Sequence, residues 1–196
     1  GNVRVLFPMI SSFEEITAVR KILAEVIETL DAEGAVFNPS AEIGIMVEVP
    51  SVVIMADVMA REVDFFSIGT NDLIQYSMAI DRQNRQVAHL FDPLHPAIIR
   101  MVKQVSDIAK ARGIRLAMCG EMASQPLHIP ILLGLGIDEL SMNPQSIPAV
   151  KQAIRVVRAE EARDFLDKVL QQVTAADIRQ LVESTYGVIL ANGNVI

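Results

Sequence analysis

The sequence predicts an α/β fold, a parallel sheet whose strands are separated by helices. Three observations carry this. Short apolar runs alternate with longer stretches at helical spacing along the whole chain. The short runs are continuously apolar, as strands covered on both faces require. The polar residues able to do chemistry collect just after those runs, at the carboxyl ends of the strands, where barrels and open α/β sheets carry their sites. Two architectures satisfy the pattern at this point: an open doubly wound sheet, or part of an eight-stranded barrel. No G-x-G-x-x-G motif follows a strand, which weighs against a dinucleotide-binding sheet. No repeat, low-complexity segment or internal linker divides the chain, so 1–196 reads as one domain.

The elements follow in order. Val3–Pro8 (VRVLFP) is predicted as a buried strand. Phe13–Gly34 is a helix, with Ile16, Val19, Leu23, Val26, Ile27 and Leu30 at helical spacing. Ser12 is its expected N-cap, Glu15 the capping-box partner, and Gly34 the stop. Ile43–Val47 is the second strand and Ser51–Arg61 the second helix. Asp64–Ile68 is the third strand, followed by a long loop with helical pieces through Arg82. Pro96–Arg112 is a helix, Arg115–Met118 a strand and Pro126–Leu133 a helix. Asp138–Ser141 is the fifth strand and Pro148–Val157 the helix after it. Two further helices, near Glu160–Gln172 and Ala175–Tyr186, end the pattern.

Composition narrows the class. Hydrophobic residues make up 51% of the 196 residues and are spread evenly, which fits a packed core and not a disordered chain. The formal net charge of -7, from 17 basic and 24 acidic side chains, disfavours nucleic acid and anionic membrane as partners. A lone cysteine cannot make an internal disulfide. No leader opens the chain and no apolar run approaches the roughly 20 residues that span a bilayer. The expectation is a cytoplasmic protein without membrane insertion.

The strand ends hold the candidate site. Glu48 follows IGIMV, and Asp72 closes the TND that follows FFSIG. If their strands are neighbours, about 4.8 Å apart, both carboxylates reach one cation, and hard oxygens with room for water and phosphate describe magnesium. The alternative is that each acid caps a helix or pairs with an arginine. Asn71 can donate its amide to an anion or simply sit in a turn. Arg82 offers a fork for phosphate or carboxylate, or else pairs with Asp81 or Asp92. Cys119, after RLAM, can give a proton to an enolate if it is kept protonated, or can be a small buried hydrophobe. His89, His95 and His128 lack metal-type spacing and read as structural.

The stretch DFFSIGTNDLIQYSMAIDR, Asp64–Arg82, resembles the signature of phosphoenolpyruvate-utilising enzymes. MVEVP at Met46–Pro50 and MCGEM at Met118–Met122 resemble two further blocks of that family, in the same order. RVLFPMI, DPLHPAIIRMVKQV and DELSMNPQSIPAVKQAIR are similar to its Enzyme I branch, the phosphoenolpyruvate–protein phosphotransferases. The short spacing from Arg82 to Cys119 is unlike that of the dikinase and synthase branches. The resemblance implies a TIM-barrel-type (β/α)8 fold binding phosphoenolpyruvate and Mg2+ at its carboxyl face. The chain would correspond to about the last five strand–helix units, with the phosphohistidine domain elsewhere. It further implies Glu48 and Asp72 as magnesium ligands, Asn71, Asp72 and Arg82 as substrate-binding residues, and Cys119 as the acid that protonates the enolate. The implied reaction passes the phosphoryl group to a histidine of an N-terminal domain and then to the phosphocarrier HPr, releasing pyruvate, in a homodimer. Two consequences are expected of the chain by itself: no phosphoryl transfer, and self-association through exposed sheet edges. A non-catalytic binding or dimerisation module is the competing class. The choice between the sugar-transport and nitrogen-regulatory branches stays open.

Overall fold

The computed structural model describes residues 3–192. Its strands are Arg4–Phe7 (β1), Glu42–Val47 (β2), Phe65–Gly69 (β3), Arg115–Cys119 (β4) and Glu139–Ser141 (β5). Among the described residues they form a single sheet in the order β1-β2-β3-β4-β5, with every neighbouring pair parallel. An order without reversal has no switch point, so the doubly wound alternative is set aside. Every crossover steps one strand in the same direction, and right-handed crossovers then put all the helices on one side. That is the layout of a barrel arc.

Curvature agrees with the topology. Arg4 on β1 reaches Glu139 on β5, Nη2 to Oε2 at 3.1 Å, and lies 3.8 Å from Glu42 on β2. Its guanidinium also stands 5.5 Å from the Phe65 ring on β3. In a flat sheet β1 and β5 would be about 19 Å apart, farther than the two side chains reach together. The sheet is therefore curled, and Arg4 spans its hollow.

The helices are Phe13–Ala32 (α1), Pro50–Ile54 (α2), Ala56–Met59 (α3), Thr70–Ser77 (α4), Pro96–Arg112 (α5), Ile129–Leu135 (α6), Ile147–Val156 (α7), Ala159–Leu170 (α8) and Ala175–Asn192 (α9). The core lies between them and one face of the sheet. Ile45, Val47, Phe66, Ile68, Leu116 and Met118 alternate onto that face and are essentially unexposed. The opposite parity, Met46, Ser67, Gly69, Ala117 and Cys119, faces the hollow, and this sets up the site.

The expected caps are present. The Glu15 carboxylate accepts the N–H groups of Ser11 (2.6 Å) and Ser12 (3.2 Å), and Gly34 takes the left-handed turn with φ +67°. Three elements differ from expectation. The predicted Ser51–Arg61 helix is split at Met55, after the β-branched run Val52-Val53-Ile54, whose stiff side chains crowd a helix. The predicted Pro126–Leu133 helix opens as a 3-10 turn over Pro126–His128 and becomes α-helical only from Ile129. The last helix runs past Tyr186, its predicted end, through Gly187 and on to Asn192; a Cβ at Gly187 would meet nothing within 4 Å. No helix among the described residues is long and apolar enough to cross a membrane.

Candidate active site

Glu48 leaves the end of β2 and is only 3% exposed. Its Oε1 accepts the Met9 backbone N–H at 2.7 Å. Met9 sits just beyond β1 with φ +57°, a left-handed conformation that costs a non-glycine residue about 1–2 kcal/mol. The other oxygen, Oε2, lies over Gly69, where an added Cβ would stand 2.7 Å away. The carboxylate therefore occupies space that only a glycine at the end of β3 leaves open. Asp72, in the first turn of α4, is near enough for its charge to act on Glu48. Burial, above all, pushes the Glu48 carboxyl up from its ordinary range. The Met9 N–H works against this, and the neighbouring Asp72 adds to it.

β4 ends beside these acids. Gly120, with φ +100° and ψ -172°, turns the chain out of the strand in a conformation essentially restricted to glycine. A Cβ there would stand 2.6 Å from Thr70 Oγ1 and 3.2 Å from Asn71 Oδ1. Thr70 donates its hydroxyl to the Cys119 carbonyl at 3.1 Å, and Asn71 Oδ1 accepts the Glu121 N–H at 3.3 Å. Both contacts sew the start of α4 to the loop after β4. Among the described residues no hydrogen bond uses Asn71 Nδ2, so its donors remain for an anion. The half-buried Cys119 thiol lies 3.5 Å from the Ile68 carbonyl, to which it can donate. Burial pushes the thiol up, the Ser67 hydroxyl opposes this, and the charges of Glu48 and Asp72 push it further up. The sulfur thus keeps its proton well past neutral pH.

Arg82 pairs with neither Asp81 nor Asp92. Its Nη2 lies 3.7 Å from Asp72 Oδ1, and its guanidinium stands 5.7 Å from the Phe91 ring. Asp81 accepts the Gln83 N–H at 2.8 Å, while Asp92 is held by Arg179 at 3.1 Å. The structure thus brings Glu48, Asn71, Asp72, Arg82 and Cys119 to the same end of the sheet. His95 caps α5, its Nδ1 accepting the Ala97 N–H at 3.2 Å. His128 is buried, with Nδ1 3.2 Å from the Met122 carbonyl, and burial pushes its pKa down and keeps it neutral. Both do structural work.

Two facing carboxylates, one of them buried, repel each other unless a proton or a cation stands between them. Their oxygens are hard ligands. No group of three or more potential protein ligands occurs among the described residues, so coordination would be completed by water and substrate oxygens. That is how magnesium is held with phosphate substrates, and the residues fit it. Met9, Ser67 and Gly69 belong to the site without having been found by sequence reasoning, whereas Thr70 and Gly120 stand among the strand-end residues that the sequence marks. Glycine directly after a strand was a visible signal for Gly69 and Gly120; Met9 offered none. A groove of about 970 Å³ at the opposite end of β4 and β5 holds none of these residues and mixes charges of both signs, Lys110 and Arg115 with Asp138 and Glu139.

Residues 1–159 match the family model described as PEP-utilising enzyme, PEP-binding domain. The phosphoenolpyruvate-protein phosphotransferase of Haemophilus influenzae is 44% identical over 183 residues, covering 93% of this chain and 32% of the relative. That of Bacillus subtilis is 44% identical over 186 residues, covering 95% and 33%. The chain thus spans about a third of the length of the curated relatives it matches. Among solved structures, a citrate lyase from Burkholderia xenovorans superimposes with a TM-score of 0.56 at 16% identity, covering 95% of this chain and 64% of the lyase. That likeness is one of fold.

Proposed function

The chain belongs to the phosphoenolpyruvate-utilising enzymes, in their phosphoenolpyruvate-binding domain, and from that premise we propose that it is the substrate site of a phosphoenolpyruvate–protein phosphotransferase, Enzyme I of a phosphotransferase system. The observation that carries this is the convergence of two carboxylates, an arginine fork, an amide and a protonated thiol at the ends of three adjacent strands.

Arg82 and Asn71 bind and orient the phosphoryl group. Charge-assisted bonds from a guanidinium fork suit its oxygens, and they strengthen as charge builds on them during transfer. Glu48 and Asp72 would hold Mg2+, which when bound supplies positive charge to the phosphoryl and enolate oxygens. As the bond from phosphorus to the enol oxygen breaks, the phosphoryl group passes to a histidine nitrogen and the electron pair stays on the enolate. Cys119, from the neighbouring strand end, gives its proton to the enolate carbon, forming the methyl group of pyruvate. A thiol pushed upward is suited to this, because an acid must hold its proton until the carbanion appears. The acceptor histidine belongs to an N-terminal domain of the whole protein, and HPr follows it. The structural roles of His95 and His128 here support an acceptor elsewhere. The same reading makes the whole protein a cytoplasmic homodimer.

The test uses the full-length protein that carries this chain. Calorimetric titration should show phosphoenolpyruvate binding that requires Mg2+. Cys119→Ala should bind the substrate as the wild type does and release almost no pyruvate. Loss of binding in Cys119→Ala, with normal turnover per bound substrate, would remove the acid role. Binding indifferent to Mg2+ and to Asp72→Asn would remove the site.

A further inference from the structure

Arg82 rides on a long segment between α4 and α5 whose only regular structure is a 3-10 turn at Ala88–Leu90. Its internal hydrogen bonds are local. Asp81 and Asn84 side chains accept the N–H groups of Gln83 (2.8 Å) and Gln86 (3.0 Å), and Ala88 N–H meets the Asn84 carbonyl at 2.9 Å. Such turns shape a segment without fixing where it lies. The near end is held by the buried Ile80 and by the Arg82 N–H, which meets Gln75 Oε1 on α4 at 3.4 Å, and the far end is held at Asp92. The Asp92 carboxylate accepts the Leu94 N–H at 2.9 Å, and Arg179 Nη2 reaches its two oxygens at 3.3 and 3.1 Å. The residue before it, Phe91, carries the ring against which the Arg82 guanidinium stands. Contacts therefore run from Arg179 through Asp92 and Phe91 to Arg82 and Asp72.

Arg179 is presented from a fixed support. On α9, Ile178 and Val182 are wholly buried, and Tyr186 packs edge-on against Phe165 at 5.0 Å between ring centres. α9 also lies beyond residue 159, outside the stretch that matches the family model. We infer that Arg179 is a positioning residue, anchoring the 81–95 segment so that Arg82 meets the substrate already aligned. The inference rests on the phosphoenolpyruvate reading of the site.

The expected size follows from population. A substrate that binds only the ordered segment has an apparent Kd raised by the inverse of the ordered fraction. A part-exposed ion pair supports that order by no more than about 1 kcal/mol, so its loss weakens binding by up to about fivefold. In the full-length protein carrying this chain, titration with phosphoenolpyruvate and MgCl2 should show this loss in Arg179→Gln and in Asp92→Asn. Amide hydrogen exchange should speed up across 81–95 and stay unchanged in β2, β3 and β4. The charge swap Arg179→Asp with Asp92→Arg should recover part of both readouts, since an arginine at 92 restores the ion pair and cannot accept the Leu94 N–H, and Arg179→Lys should fall between, also serving if Arg179→Gln folds poorly. Unchanged affinity in a folded Arg179→Gln overturns the inference, as does a loss that the swap leaves in place. If the wild type binds no phosphoenolpyruvate, the functional reading falls, and exchange across 81–95 still decides whether Arg179 anchors the segment.

Discussion

Replacing Gly120 by alanine should disrupt the candidate site without removing any of its side chains. Two costs combine. The backbone there, at φ +100° and ψ -172°, is essentially reserved for glycine, and holding another residue in it costs about 1–3 kcal/mol. The new Cβ would also stand 2.6 Å from Thr70 Oγ1. Thr70 is wholly buried, so its hydroxyl can yield only by giving up the 3.1 Å bond to the Cys119 carbonyl, worth a further 0.5–1.5 kcal/mol or about that. Together these give about 2–4 kcal/mol, or a melting temperature lower by roughly 5–15 °C for a domain of this size. Gly113→Ala is the control. It has φ +70° but nothing within 4 Å of the added methyl, so strain alone applies, about 1–2 kcal/mol. Thermal unfolding followed by circular dichroism compares the two. If Gly120→Ala melts within a degree or two of Gly113→Ala, the packing of Gly120 on Thr70 and Asn71 is not what holds the strand ends together.

Glu48→Gln should stabilise the chain in EDTA, because the amide can still accept the Met9 N–H while carrying no charge. The folded-state pKa of Glu48 is raised, so the folded protein binds more protons than the unfolded one, and stability falls as pH rises from about 4.5. The gap in melting temperature between variant and wild type should therefore open with rising pH and vanish near pH 4; an equal gap at pH 4 and pH 8 contradicts it. Cys119 should react slowly with iodoacetamide at pH 7, with a half-maximal rate above pH 9.0. A thiolate titrating at or below the free-cysteine value would make it a poor candidate for the proton donor. Arg82→Lys in the full-length protein keeps a charge near Asp72 but loses the fork and the plane against Phe91, so kcat should fall more than the affinity for phosphoenolpyruvate. Wild-type kinetics would leave Arg82 an ordinary surface ion pair.

The legible parts of the molecule were those that depend on short stretches of chain. Continuous apolar runs marked the strands, and the acid, amide and thiol directly after them marked the site, because a strand end fixes where the next side chain goes. Glu15 and Gly34 were readable as cap and stop, since both act within one helical turn. What could not be read were partners distant in sequence. The pairing of Arg82 depended on which of three nearby acids the fold would leave free. Asp92 was taken by Arg179, 87 residues away, and Asp81 by its own turn, which left Asp72. Met9 gave no local hint that its N–H would hold Glu48, because a left-handed methionine is set by the packing around it and not by preference.

Singly wound topology explains why so much of the site was visible. When strands lie in sheet order as they lie in sequence, each strand end is flanked in space by the ends before and after it in the chain. Glu48, then Asn71 and Asp72, then Cys119 therefore meet in the order in which they are written, one strand apart. A doubly wound sheet would have separated some of them at its reversal and brought in residues from elsewhere. The same economy has a limit. Residues on the loops, above all Arg82, are not fixed by the sheet and need ties from outside it. The contacts of Asp72 and Phe91 with Arg82, and of Arg179 with Asp92, are such ties. Substitutions at the strand ends should thus act on chemistry and stability together, whereas those along the Arg82 segment should act on substrate alignment with little change in melting.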